Sequence, residues 1–288
     1  MAAKGPWRAV TLDMDCTTLN SRHELTPRTL EVIRRVDATG IQLIIATGRP
    51  VLALQPYIEQ LALPRPVPTV CFNGAAAMML GSQQRLLFAE SLPRDAAAEV
   101  LGFCRGQGWC ATYCRASGPA LAAPENEDQE RMLAHFESQE GVRQDRVPDL
   151  GQVLETQELP LKIVAMVKDP EASAAVARER FPDDFVHVVP AEQHIEFLNP
   201  AVSKGKTLAR LCHEVLDIPL SEVMAFGDNH NDVEMLRLAG EGVAVANAKE
   251  VVKSAADRVL QWTNDEEAIA NELTALLDAG VLCGGVVN

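Results

Sequence analysis

Short apolar runs recur along this chain, and several of them stop abruptly at a polar cluster. Residues 8–12 are mostly apolar and β-branched, which predicts a buried strand that ends at Asp13. Thr26 and Pro27 supply an N-cap and a first helical residue. Leu30, Ile33 and Val36 then mark one helical face, and Gly40 ends it. Residues 41–46 form a second apolar run, which leads into Thr47-Gly48-Arg49-Pro50. A helix is predicted over 51–63, interrupted near Pro56, followed by a proline-rich connection at 64–68. A third strand over 69–72 ends at Asn73-Gly74-Ala75. Strands alternating with helices in this way predict a parallel sheet with helices on its faces.

The rhythm then changes. Residues 85–91 read as a strand and 93–106 as a helix, and 109–115 with 120–123 read as a hairpin around Ser117-Gly118-Pro119. A charged helix at 125–140, a strand at 161–167, a helix at 170–180 and strands at 185–189 and 193–198 follow. Adjacent strands joined by tight turns predict antiparallel pairing. Residues 80–197 are therefore expected to form an α+β domain inserted into a core made of 1–79 and 198–288. The core pattern resumes with a helix over 202–216, opened by Ser203-Lys204-Gly205. A strand at 223–227 ends at Asp228-Asn229-His230-Asn231-Asp232, and a helix runs from there through Leu238. A last core strand at 242–246, a helix at 247–256, and a helix through Leu277 capped by Asn264-Asp265-Glu266-Glu267 complete the chain. Internal repeats and low-complexity segments are absent from the sequence.

The chain has 288 residues, enough for two domains, and its 47% hydrophobic content supports a sizeable core. A net charge of −14 argues against a nucleic-acid partner and against anionic membrane surfaces. It also means that an anionic substrate needs a local positive site. The apolar runs fall short of the ~20 residues of a membrane helix, and the first strand leaves no room for a leader, so a cytoplasmic protein is expected. The seven cysteines then read as reduced thiols. Cys104, Cys110 and Cys114 lack zinc-ligand spacing and are expected to be small buried apolar groups.

Four polar clusters lie at strand ends or a helix start: Asp13 with Asp15, Thr47 with Gly48, Lys204, and Asp228 with Asp232. On a parallel sheet the carboxyl ends of the strands share one rim, where ligands collect. Two carboxylates as close as Asp13 and Asp15 repel unless a cation lies between them, and hard oxygen ligands suit Mg²⁺. The ammonium of Lys204, the Thr47 hydroxyl and the close backbone approach allowed by Gly48 suit a phosphate group, with Arg49 a further source of charge.

Asp-Met-Asp-Cys-Thr at 13–17, Ala-Thr-Gly-Arg at 46–49, Ser-Lys-Gly at 203–205 and Gly-Asp-Asn-His-Asn-Asp at 227–232 resemble, in order, the four motifs of the haloacid dehalogenase superfamily. Phe-Asn-Gly-Ala at 72–75, Gly-Val-Ala-Val-Ala-Asn-Ala at 242–248 and the late Asn-Asp-Glu-Glu resemble its Cof-type phosphatases, which carry a type IIB cap. The resemblance covers essentially the whole chain. It implies an α/β fold, a Rossmann-like parallel-sheet core with an inserted α+β cap at 80–197. It implies a Mg²⁺-dependent phosphatase of small phosphorylated metabolites, sugar phosphates foremost, acting through an aspartyl-phosphate. Asp13 is then the nucleophile and Asp15 the general acid and base. The metal falls to Asp13, the Asp15 backbone carbonyl and Asp228, with Asp232 behind them or bound through water. The phosphate falls to Met14 N–H, Thr47, Gly48, Lys204 and Asn231. A monomer or homodimer is expected. A phosphomutase on the same fold and a phosphate-binding protein without turnover are the competing readings.

The pattern departs from the family at Cys16, where glycine is usual, at Thr18 in place of leucine, and at Ala246 in place of glycine. A strained loop is expected at Cys16, whose acidic neighbours disfavour the thiolate. Gly205-Lys206-Thr207 resembles the end of a P-loop, but position 200 is Pro, so Lys206 is expected to be a solvated helix residue. His230 is expected to be an exposed loop residue. Glu192, His194 and Glu196 alternate onto one strand face and are expected to face either substrate or solvent.

Overall fold

The computed structural model describes residues 7–191 and 193–282. In chain order the strands are β1 (Ala9–Leu12), β2 (Gln42–Ala46), β3 (Val67–Cys71), β4 (Ala76–Leu80), β5 (Arg85–Ala89), β6 (Cys110–Cys114), β7 (Leu121–Ala122), β8 (Asp145–Arg146), β9 (Lys162–Met166), β10 (His187–Pro190), β11 (His194–Leu198), β12 (Val223–Gly227), β13 (Glu241–Ala244) and β14 (Arg258–Val259). The α-helices are α1 (Pro27–Ala38), α2 (Val51–Leu61), α3 (Arg94–Gly106), α4 (Glu127–Glu140), α5 (Leu150–Thr156), α6 (Pro170–Arg180), α7 (Lys204–Leu211), α8 (Val233–Leu238), α9 (Glu250–Ala255) and α10 (Ala268–Asp278). Two compact units result, one of Met1–Gly48, Gln55–Leu87 and Ser203–Asn288, the other of Arg49–Leu54 and Phe88–Val202.

The first unit is built on a sheet in the order β14-β13-β12-β1-β2-β3-β4-β5. Every pairing from β14 to β3 is parallel, and β4 returns antiparallel to β3. β1 sits between β2 and β12, and all four of its residues are buried. This is why residues 9–12 form one unbroken apolar and β-branched run: a strand covered on both faces has no solvent side to alternate toward. α1 begins as its sequence predicts, with the Thr26 hydroxyl accepting from Thr29 N–H and Pro27 at the first position. Its buried face carries Val32, Ile33 and Val36, while Leu30 is only half-buried. α2 runs through Pro56 rather than breaking there.

The strand β4 departs from the sequence reading, which places no element at 76–80. Ala76-Ala77-Met78-Met79-Leu80 lacks the β-branched and aromatic residues that mark strands. It is held extended by pairing with β3 along its full length, so tertiary context overrides local preference. β8, β14 and α5 were also unmarked in the sequence; two of them are strands of two residues, too short to leave a periodic signature.

The second unit is a sheet in the order β10-β11-β9-β6-β7-β8, antiparallel at every pairing except β7 with β8. Its two faces differ. One carries Ala111, Tyr113, Ile163, Ala165, Ile195 and Phe197 into a core closed by Ala96, Ala97, Val100 and Cys104 of α3 and Ala174 and Ala177 of α6. The small residues let the helices approach, and Phe103, Phe181 and Phe197 fill the remaining space in edge-on contacts. The other face carries a buried ion pair between Lys162 and Glu196, with His194 Nε2 3.4 Å from the same carboxylate and its ring edge-on to Phe136 of α4. His194 and Glu196 thus share one face as their spacing predicts, but Glu196 is buried against Lys162 rather than turned to solvent; Glu192 lies outside the described residues. Cys104, Cys110 and Cys114 are buried as expected, and burial pushes their thiols up to about 12, about 12 and about 11. Among the described residues no helix is long and apolar enough to cross a membrane.

Candidate active site

The loop after β1 carries Asp13 at the end of a strand whose hydrogen bonds continue into it, since Asp13 N–H donates to Phe226 O at 3.1 Å. The chain then winds a tight turn over Met14–Thr18, closed by Leu19 N–H to Met14 O at 2.8 Å. Within it Cys16 lies at φ +55°, ψ 7°, the left-handed region in which side chains are resisted. The exposed Cys16 therefore occupies the strained position that its sequence context predicts. Thr18, the other departure there, is buried and donates from Oγ1 to Asp13 O at 2.5 Å.

The ammonium of Lys204 is buried and donates to Asp13 Oδ1 at 2.6 Å and to Asp232 Oδ1 at 2.7 Å. It is delivered by the first residue of α7, whose N-cap Ser203 accepts from Lys206 N–H. Lys206 itself is exposed, as expected. Asp232 stands on the turn after β12. Its Oδ2 accepts from the backbone N–H groups of Asp228 and Asn229, both at 3.0 Å. With one oxygen on that turn and the other on Lys204, Asp232 fixes the geometry of its neighbours. Thr17 Oγ1 donates to Asp228 Oδ1 at 3.0 Å, which ties the first acidic loop to the last.

Asp13, Asp228 and Asp232 each offer a carboxylate oxygen, and these atoms lie within 4.8 Å of one another. Burial raises the Asp13 carboxyl well above its ordinary value, and Asp232 adds to this, although Lys204 opposes it. Asp228 is raised to about 6, by burial first and then by Asp232. Burial alone would lower Lys204, but Asp13 and Asp232 outweigh it and hold the ammonium charged. Three carboxyl groups around one ammonium leave excess negative charge, which a proton or a cation must balance. This donor set, all hard oxygens and all buried, fits a divalent metal ion. The Asp15 side chain is outside that cluster; its Oδ1 lies 3.2 Å from His23 Nδ1.

Thr47 follows β2 and is buried. Its N–H donates to Val70 O and its carbonyl accepts from Asn73 N–H at 3.1 Å. A Cβ at Gly48 would sit 2.9 Å from Asn73 Oδ1, so a larger residue there would displace the Asn73 side chain. Asn231 Nδ2 donates to Asn73 Oδ1 at 2.8 Å, while Asn231 Oδ1 is buried with no partner among the described residues. Gly74 has φ +103°, and a Cβ there would meet Ser203 O at 2.3 Å. Its own carbonyl accepts from Thr207 Oγ1 at 2.6 Å. The structure thus brings Asp13, Thr47, Gly48, Lys204, Asp228, Asn231 and Asp232 onto connected loops of the first unit. Arg49 is buried and belongs to the second unit, and His230 is exposed.

Sequence reasoning missed His23, Thr17's bond to Asp228 and Asn73's side-chain role. Position 23 carries no periodic or motif signal. The contacts of Thr17 and Asn73 span 211 and 158 residues, which local pattern does not encode.

A parallel-sheet core with acidic strand ends and a buried lysine defines a class. Residues 10–273 match the family of haloacid dehalogenase-like hydrolases. The chain belongs to that family, in its Cof-type branch, and it is an enzyme, a phosphoric monoester hydrolase. It is 28% identical over 292 residues to the phosphatase YwpJ of Bacillus subtilis (strain 168), covering 94% of this chain and 100% of that one. A solved haloacid dehalogenase-like hydrolase from B. subtilis is 26% identical, with a TM-score of 0.79, covering 93% of this chain and 99% of that one. A solved HAD subclass IIB sugar phosphatase shares the fold at 23% identity and a TM-score of 0.77, over 95% of this chain and 99% of that one.

Proposed function

We propose that this chain is a Mg²⁺-dependent phosphatase of small phosphorylated metabolites, sugar phosphates foremost, and that it works through an aspartyl-phosphate on Asp13. The observation that carries this reading is the buried Lys204 ammonium held between Asp13 and Asp232, with Asp228 in the same cluster. Asp13 attacks phosphorus with a carboxylate oxygen, and the bond from phosphorus to the leaving alcohol breaks. Asp15 gives its proton to the departing oxygen. The resulting carboxylate takes a proton from water, and the hydroxide attacks the phosphoryl group and frees Asp13. Met14 N–H, Thr47, Gly48, Lys204 and Asn231 hold the phosphate oxygens. The Asp13 and Asp228 carboxylates and the Asp15 carbonyl hold Mg²⁺, with Asp232 bracing them from behind. When bound, the ion neutralises charge on nucleophile and phosphate.

In this reading the inserted α+β domain, expected over 80–197, is the cap that selects the substrate, and 1–79 with 198–288 make the core. The named activity of the subclass IIB relative supports sugar phosphates. The enzyme works on dissolved metabolites in the cytoplasm as a monomer or homodimer, and its net charge of −14 disfavours nucleic acid.

The test is release of inorganic phosphate from p-nitrophenyl phosphate and a panel of sugar phosphates, with and without Mg²⁺. Turnover is expected only with the ion, and Asp13→Asn is expected to lower kcat by roughly 10³-fold or more with the fold intact. A soluble Asp13→Asn protein keeping more than a few per cent of wild-type turnover overturns the nucleophile assignment.

A further inference from the structure

Two sequence motifs take no part in the chemistry above: the turn after β13 with Asn247, and the late Asn264-Asp265-Glu266-Glu267. Both make hydrogen bonds to the loops that carry the acidic side chains. Asn247 Nδ2 donates to Cys16 O at 2.8 Å, and Asn247 Oδ1 accepts from Asn264 N–H at 2.9 Å. The buried Asn264 side chain donates from Nδ2 to Leu19 O at 3.0 Å. Two residues from Asn247, Lys249 N–H donates to Asp228 O at 3.0 Å, and Ala246 N–H is anchored on Trp262 O at 2.9 Å. Residues 246–249 therefore bracket the loop after β1 on one side and the turn after β12 on the other.

The carbonyl that Asn247 holds is that of Cys16, the residue at φ +55°. A residue with a Cβ leaves that region unless something holds it, and the peptides on either side of it carry Asp15 and Thr17. Relaxation at position 16 would move both.

We propose that Asn247, fixed by Asn264, is a positioning residue that keeps the Asp13–Asp15 loop in register with Asp228. The inference rests on the phosphatase reading for its kinetic test and on geometry alone for its second test.

In the kinetic test, Asn247→Ala lowers kcat on p-nitrophenyl phosphate by about 10- to 100-fold, the scale of a small misplacement of reacting groups, with little change in KM. Asn264→Ala, which frees Leu19 O, lowers kcat by about 3-fold or more in the same way, again with little change in KM. A loss confined to KM, or no loss in Asn247→Ala, overturns the proposal. The second test needs no turnover and so separates this inference from the assigned activity. Amide hydrogen exchange at Leu19, whose N–H closes the turn on Met14 O, is expected to speed up in Asn247→Ala. Unchanged exchange at Leu19 overturns the clamp whether or not the wild-type protein releases phosphate.

Discussion

Cys16 shows what a single position contributes. Its backbone sits at φ +55° beside the buried carboxyl cluster, and its side chain is exposed, so no core packing compensates. Cys16→Gly is expected to raise stability by about 1 kcal/mol, the order of the left-handed penalty for a residue with a Cβ. Calorimetry would read this as a rise in Tm; an unchanged or lower Tm would mean that the loop carries no strain. Gly74 is the opposite case, since a Cβ there would fall 2.3 Å from the backbone carbonyl of Ser203. Gly74→Ala is therefore expected to disrupt the approach of α7 and to cost more than about 3 kcal/mol, a value reserved for a short list of severe mechanisms. Denaturant midpoints measured for the soluble fraction would check it. The acidic and basic members of the site were readable because each follows an apolar run or opens a helix. His23 was not, because its contact with Asp15 depends on the path of an irregular loop.

At the scale of elements, the strands that read best are those buried on both faces, such as β1 and β12, whose runs are unbroken and apolar. β9 is instructive because it admits a lysine. Lys162 is buried against Glu196 of β11, and that contact is what allows a charge inside the sheet. Burial raises the Glu196 carboxyl, but Lys162 outweighs it and sets Glu196 at about 2. The sign follows: Glu196 stabilises the fold at pH above its ordinary 4.5, and that contribution is lost as pH falls toward 2. Lys162→Met is expected to cost about 3–5 kcal/mol near neutral pH, because it strands a buried carboxylate. The cost should shrink as the pH approaches 2. A denaturation series across pH would show a pH-independent loss if the pair were unimportant. α5 and β4 escaped the sequence reading for different reasons, since one is short and the other lacks strand-forming residues.

At the scale of the molecule, the acidic cluster links metal, pH and stability. Asp228 is raised from 3.8 to about 6, so without a cation it costs stability progressively as pH rises across that interval. A divalent ion removes that cost but must displace a proton below it. Mg²⁺ is therefore expected to raise Tm more at pH 7 than at pH 5, as read by differential scanning fluorimetry. Equal shifts at both pH values would argue against Asp228 as a ligand. The two-unit organisation was legible from the change in rhythm near residue 80 and its reversal near 200. The compact units divide at 48/49, 54/55, 87/88 and 202/203; the third boundary lies past residue 80 because β4 and β5 extend the first sheet beyond the point where helical alternation stops.

The placement of β1 between β2 and β12 has a consequence for biosynthesis. A nascent chain leaving the ribosome presents β1 long before residues 223–227 exist, so one flank of an apolar strand waits unpaired. The sheet of the second unit draws all its strands from the contiguous stretch 110–198 and can close in the meantime. Synthesis stalled before β12 thus leaves that edge of β1 open to pairing with another chain.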